Sequence, residues 1–403
     1  MLPKGGLARR RAREKIPREQ GFLDWIAVDA NSFAAQPPAR PGTARLALEP
    51  PNAVAEDLLA RLSASPDAYP QKLDLNAEKV LLVRLDAAAY RAASFLDDRI
   101  LGPATQGAWL PFARVAETSK RVSRGHPVHF IFHTGHVGST LVSRLLDETG
   151  SVLSLREPLP LRTLADAHDA LGHVDSLLSD AQFDRSLALF MRLWGRGYAT
   201  TQCVIVKATS SAGRLAAPIL SRSEDARAIY MNVRAEPYLA TLLAGQNSPV
   251  DLRGHGPGRM RRLLSRTGTA LAPLHTLSLG ELAAMSWLAE SWTQWDAVRE
   301  LAGRAIAVDF EAFLSDVAGS MAAILGHFGL PGDPVYLSEV GRSPVLTRYS
   351  KAPEFGYTPN ARAEVLREAR RQHRDEIRKG IAWLEERAKA DRAVAEVVKG
   401  VGV

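Results

Sequence analysis

Cysteine is almost absent: Cys203 is the only one among the 403 residues, so no disulfide can form within the chain. This scarcity fits a protein of the reducing cytoplasm. No apolar run reaches the roughly 18 residues that a membrane-spanning helix needs. The basic start of the chain is not followed by the apolar segment of a secretory signal. No zinc-finger, homeodomain or RNA-binding signature is present. We therefore expect a cytoplasmic protein with no transmembrane segment and no specific nucleic-acid partner.

Acidic residues are the minority among the charged ones. The chain has 44 Asp and Glu against 51 Lys and Arg, which gives a net charge of +7. Part of this excess lies in residues 1–20, where a solvated tail is the simpler interpretation. A basic balance also suits a polyanionic ligand. The sequence does not indicate an oligomeric state.

Length and local composition divide the chain into four segments. Residues 1–50 are basic and rich in Ala, Arg, Pro and Gly, which predicts a partly irregular segment. Residues 51–120 are predicted to form a small α/β annex, and residues 121–358 a larger domain in which strands and helices alternate. Residues 359–403 are predicted to be a charged helix and a tail.

The larger domain has the pattern of an α/β fold with a mainly parallel central sheet. Its strands are short and apolar, as strands covered on both faces are. We place these strands at 128–133, 152–156, 203–207, 227–233 and 305–309. The predicted helices of this domain are 139–149, 160–172, 183–195, 213–221, 236–246, 279–302 and 311–328. Outside it we predict helices at 54–65, 87–101 and 360–390, and a strand at 78–85. The Gly- and Arg-rich stretch 247–275 is predicted to be a mobile basic loop or lid, which can include a short helix near 258–266.

The most informative segment runs from Val128 to Asp147: an apolar strand, a short turn containing glycine, and a helix. Such a turn directs backbone N–H groups and a helix N-terminus at an anion, most often a phosphate. It approaches a Walker A loop but lacks the lysine that contacts the β- and γ-phosphates. The residues predicted to bind phosphate are Gly135, Val137, Gly138, Ser139 and Thr140. The alternative is that Ser139 or Thr140 only caps the helix.

The string Phe132-His-Thr-Gly-His-Val-Gly-Ser-Thr-Leu141 resembles the 5′-phosphosulfate loop of the sulfotransferase family. Three further segments carry the same resemblance: Ala226–Pro237, an apolar strand ending in Arg-x-x-Pro; Ile306–Leu314; and Gly341–Pro353, with its Tyr-Ser-Lys. The resemblance covers about residues 125–355. It implies a three-layer P-loop-like fold, 3′-phosphoadenosine 5′-phosphosulfate (PAPS) as co-substrate, and no metal.

The resemblance also implies roles for single residues. Arg234 corresponds to the arginine that grips the 3′-phosphate, and Lys351 belongs to a segment that lies over the nucleotide. The chain departs from the family pattern at two positions. His136 stands where a Lys or Arg normally stabilises the bridging oxygen, and it needs a raised pKa to do so. Leu242 replaces a serine, with Thr241 beside it as a substitute for phosphate binding.

Residues at the ends of predicted strands are the candidates for chemistry, because the carboxyl ends of parallel strands line the ligand crevice. Glu157 follows the second strand and is a candidate general base; its alternative is a salt bridge with Arg156 or Arg162. His133 ends the first strand, and it is either catalytic, like His136 in the loop, or structural. Lys207 ends the third strand and is predicted to contact phosphate or sulfate, unless it is a surface lysine.

Two further features favour structural interpretations. Asp309 ends a strand and could imitate a Walker B aspartate, but without the loop lysine a helix cap is favoured. Trp287, Trp292 and Trp295 lie on one predicted helix, where core packing is favoured over a stacking platform.

Three functions remain open from the sequence. The first is a sulfotransferase that moves the sulfuryl group of PAPS in line to a hydroxyl or amine of a small molecule, glycan or lipid. The second is a nucleotide-dependent kinase or NTPase with a degenerate Walker A loop. The third is a catalytically weak nucleotide-binding scaffold of the same fold.

Overall fold

The computed structural model describes residues 51–122, 125–245, 248–301 and 303–401, so the basic segment 1–50 lies outside the described residues. The strands are β1 Ala68–Asp74, β2 Lys79–Arg84, β3 Gly107–Pro111, β4 Val128–His133, β5 Val152–Arg156, β6 Cys203–Lys207, β7 Ala228–Asn232, β8 Ala305–Asp309, β9 Arg348–Tyr349 and β10 Ala352–Gly356. The helices of the first half are α1 Pro51–Leu62, α2 Ala87–Ala92, α3 Phe112–Ser119, α4 Ser139–Asp147, α5 Leu159–Ala170, α6 Asp180–Trp194, α7 Ala216–Arg222 and α8 Ala235–Leu243. Those of the second half are α9 Ser248–Leu264, α10 Leu279–Glu300, α11 Phe310–Ser315, α12 Val317–His327, α13 Pro334–Glu339, α14 Pro359–Gln372, α15 Arg374–Ala390 and α16 Arg392–Val401.

The central sheet has five parallel strands in the order β5-β6-β4-β7-β8. All five strands predicted from apolar runs are confirmed, and each bound agrees with the prediction to within one residue. The chain runs from β4 to the edge strand β5, returns to β6, and then crosses β4 to reach β7. Open sheets bind ligands beyond the carboxyl ends of the strands where such connections diverge. The topology therefore predicts a ligand site at the carboxyl end of β4.

Side chains alternate between the two faces of this sheet, and each face has its own buried cluster. Phe130 and Phe132 of β4 point to one face, and Ile131 points to the other. The Ile131 face is covered by α4, α8, α10 and helices of the C-terminal segment. The Phe130 face is covered by α6 and α7 and by apolar side chains of the annex. The result is a three-layer α/β fold, as the sequence predicted.

The annex contains more β structure than predicted: β1, β2 and β3 form an antiparallel sheet, of which only β2 was predicted. The predicted helix 87–101 is wrong beyond Ala92. The backbone there forms hydrogen bonds with Arg156 of the edge strand β5 instead of continuing the helix. Leu96 N donates to the carbonyl of Arg156 at 2.7 Å. The Arg156 guanidinium donates to the Ala93 carbonyl at 2.8 Å and to that of Tyr90 at 3.1 Å.

The predicted basic loop 247–275 is wrong over most of its length, since a helix, α9, occupies Ser248–Leu264 despite Pro257 and three glycines. The short helix predicted near 258–266 overlaps only the second part of α9. Leu252, Met260 and Leu263 are buried on one side of this helix. Arg259 Nε also donates to Glu290 of α10 at 3.0 Å. Tertiary contacts of this kind override a weak helix propensity.

Other helix boundaries differ where side chains cap the backbone. The predicted helix 311–328 is two helices, because Asp316 accepts from Gly319 N at 2.9 Å and starts α12. The predicted helix 183–195 starts earlier, at Asp180, with Ser179 and Gln182 forming a capping box. The start of predicted helix 213–221 is a 3-10 turn, Ser210–Leu215. The predicted helix 360–390 is interrupted at His373, and α16 follows it.

Candidate active site

Several residues predicted from the sequence lie at the carboxyl ends of β4, β5 and β6. We call this end of the sheet its carboxyl edge, as distinct from the lateral edge formed by β5. His133 ends β4, Arg156 ends β5 and Lys207 ends β6. Arg156 and Lys207 are partners in the register between β5 and β6. Glu157 continues from β5, and its N–H donates to the Lys207 carbonyl at 2.6 Å. The loop after β4 and the side chains of Glu157 and Lys207 thus share the same end of the sheet.

The loop between β4 and α4 has an unusual backbone. Gly135 has φ 107°, His136 has φ 55° and Gly138 has φ 71°. A Cβ at Gly138 would lie 2.1 Å from Cε2 of Phe310, so this position excludes any other residue on two grounds. Gly138 is the N-cap of α4, and no side chain of the described residues caps this helix N-terminus. The first N–H groups of α4 are therefore available to an anion.

Several buried hydroxyl groups near this edge have no hydrogen-bond partner among the described residues. They are Oγ1 of Thr134 in the loop, Oγ1 of Thr140 in the first turn of α4, and Oγ1 of Thr209 just beyond β6. A buried polar atom without a partner is costly and in native proteins usually faces a ligand or water. Thr140 was predicted from the sequence, whereas Thr134 and Thr209 were not. The sequence signal that could have indicated Thr134 and Thr209 is their position one or two residues beyond an apolar strand.

Lys207 and Glu157 form a buried ion pair through Nζ and Oε1. The Lys207 side chain is fully buried and that of Glu157 is 16% exposed. The surface alternative for Lys207 is therefore wrong, and Arg156 pairs with Asp147 instead of Glu157. Glu157 also acts on Arg162, where it opposes the lowering of the pKa by burial. Burial lowers the pKa of Lys207, and Glu157 opposes that shift. Glu157 also has φ 56°, which costs a residue other than glycine about 1–3 kcal/mol and is typical of functional sites.

The two histidines differ in their surroundings. His133 is buried, and its Nε2 lies 2.9 Å from the Ala208 carbonyl, an arrangement that fits a neutral ring donating from Nε2. Its Nδ1 has no partner among the described residues. Burial and the nearby Lys207 hold the pKa of His133 well below its usual value. Burial also lowers the pKa of His136, although Asp251 of α9 and then Glu157 oppose it. The raised pKa that a cationic role for His136 requires is thus not found.

Residues expected at the 3′-phosphate lie beyond the neighbouring strand β7. Arg234 is exposed and is the N-cap of α8. The Thr241 hydroxyl donates to the Pro237 carbonyl of its own helix at 2.8 Å, and Leu242 is buried. Arg234 thus lies two residues beyond β7, at the carboxyl end of the sheet, whereas the Thr241 hydroxyl already donates its proton to the backbone.

Lys351 lies in the turn between β9 and β10 and approaches the same edge from another side. Its Nζ is 5.7 Å from the ring centroid of Phe95, a residue of the annex. Lys207 Nζ is 5.9 Å from the same centroid, and Arg99 Cζ is 3.4 Å from it. Burial lowers the pKa of Lys351 to about 8. Sequence reasoning missed Phe95 and Arg99, because nothing in the annex sequence shows that it meets this edge.

Four further expectations concern Asp309, the tryptophans, metal binding and membrane spans. The Asp309 carboxylate accepts from Ala312 N at 2.8 Å, so its interpretation as a helix cap is confirmed. Trp287 and Trp292 are buried in the core, as predicted, and Trp295 is half-buried against it. Within the described ranges, no three His, Cys, Asp or Glu side chains form a group able to hold a metal ion. None of the described helices is both long and apolar enough to cross a membrane.

No protein-family model and no curated protein matches the chain. Solved structures similar to it include the sulfotransferase domain from the curacin biosynthetic pathway, at 16% identity and a TM-score of 0.36, covering 59% of this chain and 86% of that one. Sulfotransferase STF1 from Mycobacterium tuberculosis H37Rv is 13% identical with a TM-score of 0.37, covering 87% of this chain and 97% of that one. Mouse sulfotransferase SULT7A1, solved with PAP, is 8% identical with a TM-score of 0.36, covering 71% and 93%. At these values the likeness carries no argument, and the function is argued from the site itself.

Proposed function

We propose that this protein is a sulfotransferase that moves a sulfuryl group from PAPS to a hydroxyl or amine acceptor in the cytoplasm. The acceptor belongs to a small molecule, glycan or lipid. The observation that carries the proposal is the combination of an uncapped, lysine-free anion loop with a buried Lys207–Glu157 pair at the adjacent strand ends. A single site with these parts can bind a phosphate ester and also supply a base and a fixed positive charge.

The loop supports binding of the 5′-phosphosulfate. Gly138 permits close approach of the backbone, the N-terminus of α4 has no side-chain cap, and the Thr140 hydroxyl has no partner among the described residues. Helix N-termini favour anions through their N–H groups and dipole. Arg234 is assigned to the 3′-phosphate and Lys351 to the remaining charge of the nucleotide.

Lys207 supplies the positive charge that the loop itself lacks. With the pKa of His136 lowered by burial, the imidazole is a poor cation at neutral pH. Lys207 is buried beside the loop and is held by Glu157. A fixed cation in a water-poor site stabilises charge that develops on the leaving phosphate and on the transferred sulfuryl oxygens.

Glu157 acts as the base toward the acceptor. Its Oε1 pairs with Lys207, and Oε2 remains able to take the proton of an acceptor hydroxyl or of a neutral acceptor amine. The acceptor oxygen or nitrogen forms a bond to sulfur as the sulfur–oxygen bond to the 5′-phosphate breaks. The acceptor proton passes to Glu157, and the electron pair leaves with 3′,5′-adenosine bisphosphate (PAP).

The kinase alternative lacks its main requirements. The loop has no lysine, and the Asp309 carboxylate caps α11 by accepting from its backbone. The scaffold alternative shares the nucleotide site and differs only in the absence of turnover. The nucleotide that binds therefore distinguishes the kinase from the proposal, and sulfuryl transfer distinguishes the scaffold from it.

Thermal unfolding with PAP, and separately with ATP and magnesium, tests the proposal. We expect PAP alone to stabilise the protein, by about 2.7 kcal/mol at a concentration 100 times its Kd. Arg234→Ala and Thr140→Val should lose most of this shift. Thr241→Val is the matched control and should keep it, because the Thr241 hydroxyl already bonds the Pro237 carbonyl.

Three outcomes would contradict the proposal in different ways. Stabilisation only by ATP with magnesium would favour the kinase. Stabilisation by PAP without any sulfate transfer to a broad acceptor panel would favour the scaffold. No stabilisation by either nucleotide would refute a nucleotide site at this edge.

A further inference from the structure

The annex contributes a short segment, Phe95–Arg99, to the edge of the sheet where transfer is proposed. Phe95 is 6% exposed, and the Arg99 guanidinium lies over its ring at 3.4 Å from Cζ to centroid. The Asp97 carboxylate, in a residue 7% exposed, accepts from Arg99 N at 3.0 Å, from Nε at 2.8 Å and also from Nη2. The Arg99 side chain still keeps 30% of its surface exposed. This guanidinium is thus held in place while one side remains accessible.

Two further cations approach the same ring from the transfer edge. Lys207 Nζ lies 5.9 Å and Lys351 Nζ 5.7 Å from the Phe95 centroid. Lys207 is the partner of Glu157, the proposed base. Arg99 is close enough to Lys207 to lower its pKa. The Phe95 ring therefore lies close both to Arg99 of the annex and to Lys207, which is proposed to take part in the transfer.

The segment is anchored on both sides, so its position is fixed by the fold. Buried Arg156 donates to the Ala93 carbonyl at 2.8 Å, and Leu96 N donates to the Arg156 carbonyl at 2.7 Å. Arg144 of α4 donates from Nη2 to the Ser94 hydroxyl at 2.7 Å and from Nε to the Ser350 carbonyl at 2.6 Å. The latter bond also fixes the turn that carries Lys351. A preorganised cation of this kind loses little freedom when it binds a ligand.

We infer that Phe95 and Arg99 form the acceptor subsite, and that the acceptor carries an anionic group, a carboxylate or a phosphate, beside the hydroxyl or amine that receives the sulfuryl group. The inference rests on the proposed function and names the class of acceptor. The planar guanidinium of Arg99, whose Nε and Nη2 also pair with Asp97, suits the oxygens of either anion. The Phe95 ring excludes water from one side of the contact, which strengthens it.

Matched acceptor pairs that differ in charge test this inference. We would measure PAP release with 4-hydroxyphenylacetate against 4-hydroxyphenylacetamide, and with glucose 6-phosphate against glucose. The expected KM is at least tenfold lower for the anionic member of one pair, and the responding pair tells carboxylate from phosphate. Arg99→Ala should remove this preference by raising the KM of the anion at least tenfold while the neutral member changes less than twofold.

Controls separate the subsite from folding and from the nucleotide site. Arg99→Lys keeps the charge and should retain a large part of the preference. Arg114→Ala removes an exposed annex arginine that pairs with Glu56, and it should change nothing. PAP affinity should be equal in wild type, Arg99→Ala and Arg114→Ala.

The failure of this inference differs from that of the proposed function. If PAP binds and transfer occurs with equal KM values within both pairs, the anionic subsite is refuted and the sulfotransferase proposal stands. A preference that survives in Arg99→Ala also refutes the subsite. If PAP does not bind the wild-type protein, both proposals fall together.

Discussion

Arg156 and Lys207 occupy equivalent places on neighbouring strands and yet have different surroundings. They are register partners at the carboxyl ends of β5 and β6, and both side chains are fully buried. Each is paired with a carboxylate: Arg156 with Asp147, and Lys207 with Glu157. Burial and ion pairing alone therefore do not distinguish a structural cation from a functional one.

The difference lies in how completely each cation is satisfied by the protein. Arg156 donates to Ser143 Oγ at 3.0 Å, to two annex carbonyls at 3.1 Å or less, and to Asp147. Among the described residues the Lys207 ammonium donates one hydrogen bond, to Glu157, whose φ of 56° is strained. Ammonium groups carry three donors. Arg156 thus joins the annex to the sheet, whereas for Lys207 we propose contact with a ligand.

The largest expected effect is on stability, in Arg156→Met. The change leaves Asp147 largely buried without its cation and removes the donors of two annex carbonyls. Breaking such a pair costs about 3–5 kcal/mol in the free energy of unfolding, measurable by urea titration. Arg61→Met is the control, because its exposed pair with Asp57 should contribute about 1 kcal/mol or less. Equal losses in the two variants would contradict the structural role of Arg156.

The next effect is on transfer, in the double variant Lys207→Met/Glu157→Gln. Removing both charges leaves no unpaired ion in the core, so we expect the variant to fold. Its rate at saturating PAPS should fall about 100-fold or more, the loss typical of a removed charge-stabilising group. PAP affinity should change far less. If the double variant unfolds while Arg156→Met stays folded, Lys207 would be the structural cation and Arg156 would not.

The smallest effect concerns the pH dependence of PAP binding. Lys351 loses its proton as the pH rises through about 8, so wild-type affinity should fall about tenfold between about pH 7 and 9. Lys351→Arg stays charged and should flatten this profile. The unfolded chain binds this proton up to the usual value of 10.5, so the Lys351 contribution to unfolding free energy should rise with pH from about 8 to 10.5. Identical binding profiles in both proteins would exclude Lys351 from the nucleotide site.

Particular elements show how far sequence reasoning reached. The five strands of the central sheet were predicted because each is a short apolar run, and local composition fixes that signal. The first part of helix α9 was missed, with only a short helix near 258–266 predicted, because its glycines and Pro257 disfavour a helix locally, whereas contacts with α10 stabilise it. The predicted helix 87–101 failed for the opposite reason, since hydrogen bonds to Arg156 ended it at Ala92.

The sequence by itself determined the parallel sheet, the lysine-free loop with Gly138, and the presence of Glu157 and Lys207 at strand ends. Only the tertiary structure decided that Glu157 pairs with Lys207, 50 residues away along the chain, and that Arg156 pairs with Asp147 instead. It also decided that Phe95 and Arg99 reach the site and that burial lowers the pKa of His136. The physical reason is that strand composition is local, whereas ion pairing and desolvation depend on distant segments that only packing brings together.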